Sequence, residues 1–465
     1  MSILIENGTI VTMDPQRRVF ERGALFVEGD RIVALGDPAS VRRIAGSPEH
    51  RIDAANCVIL PGLIDTHVHT ANTLSRGTAD PDLAIHDWLT HAIHPFKTLL
   101  NQQDGKLSAQ VCILEMLRTG TTCFLDTLFF NRYGFDGLAE AVVDSGIRAC
   151  LAKYVADVRG PDATRREGPE DSAAEARAIF SKHHGSGNGR IEVWLEPPPL
   201  RGNERSIYEE VSTLARQLNT GVTAHFLETR EDLQAFLKSG PSPARFLIDV
   251  GMAGEKRVLA HGVWIPDGDF EVLAKGGFSI AHCPTTNMKL VDGIAPVAKM
   301  RRNGVTVGLG CDGFGSNDNV DIFREMRTAA LLQKVASTDP LALRTLDALQ
   351  MGTINGAQAL GKASEIGSLE IGKKADLLVI NMKRPYTNAR LNPVAHLVYA
   401  CSGSDVRDVI IDGQIILSDR RILTMDEEAI YQEAEKRAGD VIAAFSHQGS
   451  QASPPHTHGD QGASP

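Results

Sequence analysis

The sequence has no uninterrupted apolar run approaching the roughly 20 residues that span a bilayer. Its N-terminus, MSILIENGTIVTMD, lacks a basic region followed by a long apolar stretch. Neither a membrane span nor a cleaved leader is expected. No cluster of Lys and Arg offsets a formal net charge of −10, so phosphate backbones and anionic lipid surfaces are repelled. Nucleic acid and membrane are therefore not expected as partners, whereas a small nucleobase-like molecule is compatible. The seven cysteines (Cys57, Cys112, Cys123, Cys150, Cys283, Cys311 and Cys401) include no C-x-x-C pair. Odd in number and set mostly in apolar runs, they read as reduced, buried, small hydrophobes of a cytoplasmic protein. No G-x-G-x-x-G follows an early strand-like segment, which weakens the case for an open, doubly wound sheet.

What is present is a chain of 465 residues, 42% hydrophobic and 23% charged, long enough for one large domain with an accessory unit. Short alternating segments open it (ILIENGTIVTMD, RGALFVEGDRIVALG, HRIDAANCVI), and the texture returns in GSLEIGKKADLLVINM and DVRDVIIDGQIILSD. Each end is too small to close a core alone. Together, residues 1–56 and 366–423 are expected to form an accessory β-sandwich. Residues 57–365 have another rhythm, with eight strand-length apolar segments: CVILPGLIDTHVH, TTCFLDT, IRACLAKYV, RIEVWLEP, GVTAHFLET, RVLAHGV, FSIAHCP and VTVGLGCDG. Helix-like patterns that stop at Gly fill most of the gaps. Apolar strands alternating with helices imply a parallel sheet, and eight such units imply an α/β fold of the closed (β/α)8 TIM-like barrel type. Residues 424–445 read as an amphipathic helix packed outside the barrel, and residues 446–465 as a disordered tail.

Histidines fall on this strand map in a telling way. His67 and His69 end the first barrel strand, His225 the fifth, His261 the sixth and His282 the seventh, while Asp312 ends the eighth. A barrel builds its active site at that end of its strands. The H-x-H pair alone is weak, since the tail carries the same spacing at His456 and His458 in a segment without a strand. With His225 and Asp312 at neighbouring mouth positions, His67 and His69 become metal ligands. Neutral imidazoles plus a carboxylate suit Zn2+ first and Fe2+ second, with one position left for water. Such an ion brings the pKa of its water towards 7. Glu228, just beyond the fifth strand, can donate a proton to a substrate nitrogen; His261 can orient and deprotonate the water or polarise the oxygen that develops charge, and Asp312 can accept the water's proton. The bland alternatives make Glu228 a helix cap and His261 a core histidine. Trp88 and Lys97, in DWLTHAIHPFK over the mouth, and His282 and Asn287, in AHCPTTN, are the candidates for substrate contact. His86, His91 and His94 read as packing or solvated residues, with substrate contact as the alternative. Lys97, if it reaches the mouth, can pair with an acidic substituent.

PGLIDTHVH, HFLETRE, VLAHGV, AHCPTTNMKL, GLGCDGFGSNDNVDIFREMRTAALLQK and GSLEIGKKADLLVI resemble the amidohydrolase superfamily. The resemblance spans residues 1–445 and is to the branch holding methylthioadenosine/S-adenosylhomocysteine deaminases, guanine and cytosine deaminases and triazine chlorohydrolases. It implies one divalent ion per subunit held by His67, His69, His225 and Asp312, with Glu228 and His261 handling protons. The implied reaction is hydrolytic deamination: hydroxide attacks an amino-bearing ring carbon, Glu228 protonates the adjacent ring nitrogen and ammonia leaves. A homodimer or homotetramer is also implied. Two departures bear on substrate. Where adenosine-type deaminases carry Pro-x-Glu after the Trp-Leu helix, this chain has PFK with Lys97, and where they carry P-H-A-P-Y it has LEPPPL. Another N-heterocycle or an amide-like molecule is therefore expected in place of adenosine. Loss of halide, alkylamine or a carbamoyl amine is the alternative chemistry. A catalytically inactive scaffold is disfavoured because the full ligand set is kept.

Overall fold

A computed structural model describes residues 1–77, 82–155, 172–200, 205–238, 240–387 and 392–452. Two sheets organise them. The first, of nine strands, takes Ser2–Val11, Val19–Glu28, Arg31–Gly36, His50–Asp53 and Cys57–Pro61 from one end of the chain, and Leu377–Asn381, Val406–Ile411, Gln414–Ser418 and Arg421–Ile422 from the other. The seam is antiparallel, with Ile59 opposite Val379. Period-two alternation builds both faces: Ile3, Ile5, Leu25 and Val27 share a core with Ile59, Leu377 and Val379. Leu4, Ala24 and Phe26 point the other way, onto Val41 and Ala45 of the helix Pro38–Ala45. The accessory β-sandwich expected from both chain ends is built by both, but as one continuous hydrogen-bonded sheet.

The second sheet is parallel throughout: β1 (Leu63–His69), β2 (Thr121–Phe129), β3 (Arg148–Tyr154), β4 (Ile191–Glu196), β5 (Val222–Phe226), β6 (Arg257–His261), β7 (Phe278–His282) and β8 (Thr306–Leu309, resuming at Asp312–Gly313). Asp312 of β8 pairs with Val68 of β1, closing the sheet into the expected barrel. Cys123, Leu125, Cys150, Ala152, Trp194 and Val258 meet inside it. Their neighbours Phe124, Leu151, Val193 and Leu259 pack outward under the helices. Ala357 and Leu360 join the inner core beside Ile64, so the barrel is plugged at the end opposite His69.

Two boundaries differ from the expected ones. CVILPGLIDTHVH is not one strand, because Cys57–Pro61 belongs to the accessory sheet and only Leu63–His69 to the barrel. The chain bends at Gly62, where a Cβ would lie 2.0 Å from Thr122 Oγ1, so only glycine lets the two units approach this closely. The C-terminal helix runs over Glu427–Ala452 in place of 424–445, so Ser446 to Ala452 continue it where disorder was expected; each residue added to an existing helix brings its own backbone hydrogen bond. Its Arg437 grips Asp104 with two hydrogen bonds, 2.5 and 2.8 Å long. The rest of the expected tail, with His456 and His458, lies outside the described residues. All seven cysteines are buried, and none forms a disulfide among the described residues. No helix among the described residues is long and apolar enough to cross a membrane.

Candidate metal centre

The ends of β1, β5, β6 and β8 bring His67, His69, His225, His261 and Asp312 together at the barrel mouth. Asp312 Oδ1 lies 2.9 Å from His69 Nε2 and 3.3 Å from His67 Nε2. His225 Nε2 faces His69 Nε2 at 3.4 Å, with the two rings stacked. Ligand atoms of His67, His69 and Asp312 fall within 4.8 Å of one another, as do those of His67, His225 and His261. Burial is the largest influence on these groups and lowers His67 to about 4 and His225 well below the usual imidazole range. Burial works to raise the Asp312 carboxyl, but hydrogen bonds from His67 and His69 outweigh it and hold Asp312 far below the ordinary carboxylate value.

This donor set fits a divalent cation. Neutral imidazoles and one ionised carboxylate are the ligands that zinc and ferrous iron take. Two ring nitrogens facing each other at 3.4 Å can share one proton at most, and their lone pairs are best satisfied by a common cation.

Around the cluster a layer of polar groups fixes each ring. Thr127 meets His69 Nδ1 through its carbonyl oxygen at 3.1 Å and its hydroxyl at 2.9 Å. Glu196 Oε1 stands 3.4 Å from His225 Nδ1, and Glu196 Oε2 accepts from Leu128 N at 2.5 Å. Asn287 Oδ1 is 3.0 Å from His261 Nδ1. Below them Asp65 Oδ1 accepts the backbone N–H of both His67 and Cys311, stapling β1 to β8. Burial raises Asp65 and Asp126 to about 7 and Glu196 to about 8. Partners of this kind orient metal-bound imidazoles and select their tautomers. The backbone is strained at the same place: Leu128, Leu227, His261 and Asp312 have φ of 53°, 48°, 71° and 66°. Non-glycine residues take up such values where the surroundings impose them, often at functional sites.

A cavity opens above the cluster, with His69, His225, Glu228 and Asp312 among its lining. Glu228 is buried, its Oε1 3.5 Å from His261 Nε2. Thr229, not Glu228, caps the helix Arg230–Leu237, in a capping box with Asp232, so the helix-cap alternative for Glu228 falls away. Trp88 and Lys97, expected as candidates for substrate contact, line the cavity. His282 and Asn287 differ from that expectation. Neither is among the lining residues; Asn287 stands behind His261, and both ring nitrogens of His282 are buried without a hydrogen-bond partner among the described residues. His86 and His91 are exposed, while His94 lines the cavity. Sequence reasoning missed Asp126 and Glu196, although each sits at or near the C-terminal end of an apolar strand, the signal that found the histidines.

The profile of the Amidohydrolase family matches residues 58–416. The 5'-deoxyadenosine deaminase of Methanosarcina mazei is 38% identical over 442 residues, covering 95% of this chain and 98% of that one. The 5-methylthioadenosine/S-adenosylhomocysteine deaminase of Pelotomaculum thermopropionicum is 36% identical over 438 residues, covering 94% and 98%. The crystal structure of an adenosine deaminase from Xanthomonas campestris with bound zinc superposes with a TM-score of 0.88 at 30% identity, covering 95% and 98%. With a closed barrel, a cluster of imidazoles and carboxylate at its mouth and similarity running nearly end to end, the chain belongs to the amidohydrolase family.

Proposed function

We propose that the protein is a divalent-metal-dependent deaminase that removes the amino group of an N-heterocycle as ammonia, and that the heterocycle is a 6-aminopurine. The observation that carries this reading is the convergence of three imidazoles and Asp312 on the floor of a cavity that also presents Glu228 beside His261. The purine assignment departs from the expectation drawn from PFK and LEPPPL. It is supported by full-length similarity to relatives named for adenosine derivatives.

His67, His69, His225 and Asp312 would hold the ion, one zinc per chain in this reading, which when bound would make water a nucleophile near neutral pH. Asp312 takes the proton of the attacking water and passes it to the departing amino group. Glu228 gives its proton to the ring nitrogen next to the amino-bearing carbon, so that no negative charge builds up on the ring. His261 Nε2, 3.5 Å from Glu228 Oε1, shares that proton, and Asn287 at Nδ1 keeps the imidazole turned towards it. In the net change a C–O bond replaces a C–N bond, the second proton of the water returns to Glu228 as the carbonyl forms, and ammonia is released.

Aminated purines, pyrimidines, pterins and triazines assayed for ammonia test the reaction. Ammonia is expected from at least one purine, and release of halide or alkylamine without ammonia would reassign the leaving group. His67→Ala and Asp312→Ala are expected to lose both zinc and turnover. Glu228→Gln is expected to keep zinc, by elemental analysis, while losing about 100-fold or more in kcat. Full activity in a metal-free preparation would sink the mechanism.

A further inference from the structure

Glu325 sits on the helix Ile322–Ser337, outside the barrel, with only 1% of its surface exposed. Its carboxylate takes three hydrogen bonds and forms no ion pair among the described residues. Thr285 donates twice, from Oγ1 to Oε1 at 2.7 Å and from its backbone N to Oε2 at 3.3 Å, and Asn317 Nδ2 donates to Oε1 at 3.0 Å. Burying a carboxylate without a cation is costly. Burial raises this one to about 7, and the bonds from Thr285 and Asn317 work against the rise. An ionised carboxylate accepts at both oxygens, so it satisfies all three donors at once, whereas a glutamine in its place would turn an amide N–H towards one of them. Both partners lead to the metal centre. Asn317 brackets Asp312: its Nδ2 donates to the Cys311 carbonyl oxygen at 2.7 Å and its backbone N to the Gly313 carbonyl oxygen at 3.0 Å. Asp312 has a φ of 66°, which a non-glycine residue keeps only where its surroundings hold it. Thr285 belongs to the short helix Pro284–Lys289 after β7, two residues before Asn287, whose Oδ1 is 3.0 Å from His261 Nδ1. One carboxylate thus ties the turn that carries Asp312 to the helix that holds His261.

Resting on the deaminase reading for the roles of the groups it holds, we infer that Glu325 is a positioning residue. Through Asn317 it fixes Asp312, which takes the proton of the attacking water, and through Thr285 it fixes the mount of His261, which shares the proton of Glu228. The two proton-handling sides of the mouth are thereby held at one separation by a group that touches neither metal nor substrate.

The test compares wild type with Glu325→Gln and with the milder Thr285→Val, which removes one donor and keeps the shape of the side chain. Ammonia release from 5'-deoxyadenosine, adenosine and adenine gives kcat and KM for the zinc-loaded proteins, and the visible bands of the cobalt-substituted proteins report the geometry around the ion. Glu325→Gln is expected to lower kcat about 10-fold or more with KM within about twofold, to keep its zinc, and to shift the cobalt bands. Thr285→Val is expected to do the same to a smaller degree, and it decides the matter if Glu325→Gln does not fold. Adding Asn317→Ala to Glu325→Gln is expected to cost less than the product of the two single losses, since both act through one link. An unchanged kcat, or a loss of kcat with wild-type cobalt bands, would overturn the inference and leave the deaminase reading standing. No ammonia from the wild type with these or with aminated pyrimidines, pterins and triazines would overturn the deaminase reading, and the cobalt bands would still decide whether Glu325 places Asp312.

Discussion

Glu192, at the N-terminal end of β4, lies between two ammonium groups, Lys362 Nζ at 2.6 Å and Lys256 Nζ at 3.1 Å, and takes the indole N–H of Trp194 at 3.3 Å. Burial pushes its carboxyl up, yet Lys362 and then Lys256 outweigh that and bring it down to about 2 from an ordinary 4.5. A carboxyl whose folded value lies below its unfolded one stabilises the fold above the unfolded value. That contribution is lost as pH falls through the folded one, here between about 4.5 and about 2. Glu192→Gln is therefore expected to cost on the order of 3 kcal/mol at pH 7, with the difference from wild type shrinking towards zero near pH 2. Urea unfolding at pH 7, 4 and 2.5 measures it, and a penalty constant across that range would assign the effect to packing. Neither Glu192 nor Glu196 was legible in the sequence, and the reason is contrast. Fifteen histidines leave a strand-end cluster conspicuous, whereas 58 acidic residues hide one carboxylate at a strand end among many on the surface.

At the scale of elements, strands were legible where an apolar run met a polar stop, and the mouth ends of β5, β6 and β7 lie at the histidines that marked them. The bend between Cys57–Pro61 and β1 was not, since every residue from Cys57 to His69 is buried and periodicity carries no signal where both faces are covered. Only Pro61 and Gly62 mark the joint. Gly62→Ala is expected to force β2 away, because its Cβ would meet the Thr122 side chain at 2.0 to 2.7 Å. Overpacking of this kind costs about 1 to 3 kcal/mol. Gly268, with nothing within 4 Å of a built Cβ and φ of −74°, is the control, and Gly268→Ala is expected to unfold in urea close to wild type. Equal urea midpoints for the two variants would mean that the joint between barrel and accessory sheet is looser than its contacts imply.

In the whole molecule the four proposed ligands come from β1, β5 and β8, strands that lie both next to and across the barrel from one another, so a bound ion ties together parts of the mouth that the hydrogen-bond ladder does not. The accessory sheet contributes no ligand. It is anchored lower down by Arg148 of β3, which pairs with Asp376 at 2.9 and 3.2 Å in a fully buried contact. Removing the ion with a chelator is therefore expected to act locally. Amide hydrogen exchange should quicken at the ends of β1, β5 and β8 and stay slow in Ser2–Val11 and Leu377–Asn381, and the unfolding midpoint should fall. Returning free zinc to 100 times its dissociation constant should restore about 2.7 kcal/mol, the mass-action value for a ligand that binds only the folded state. If the accessory strands lost protection together with the mouth, barrel and sheet would open as one unit, and the buried Arg148–Asp376 contact would be the place where the loss at the mouth is passed on.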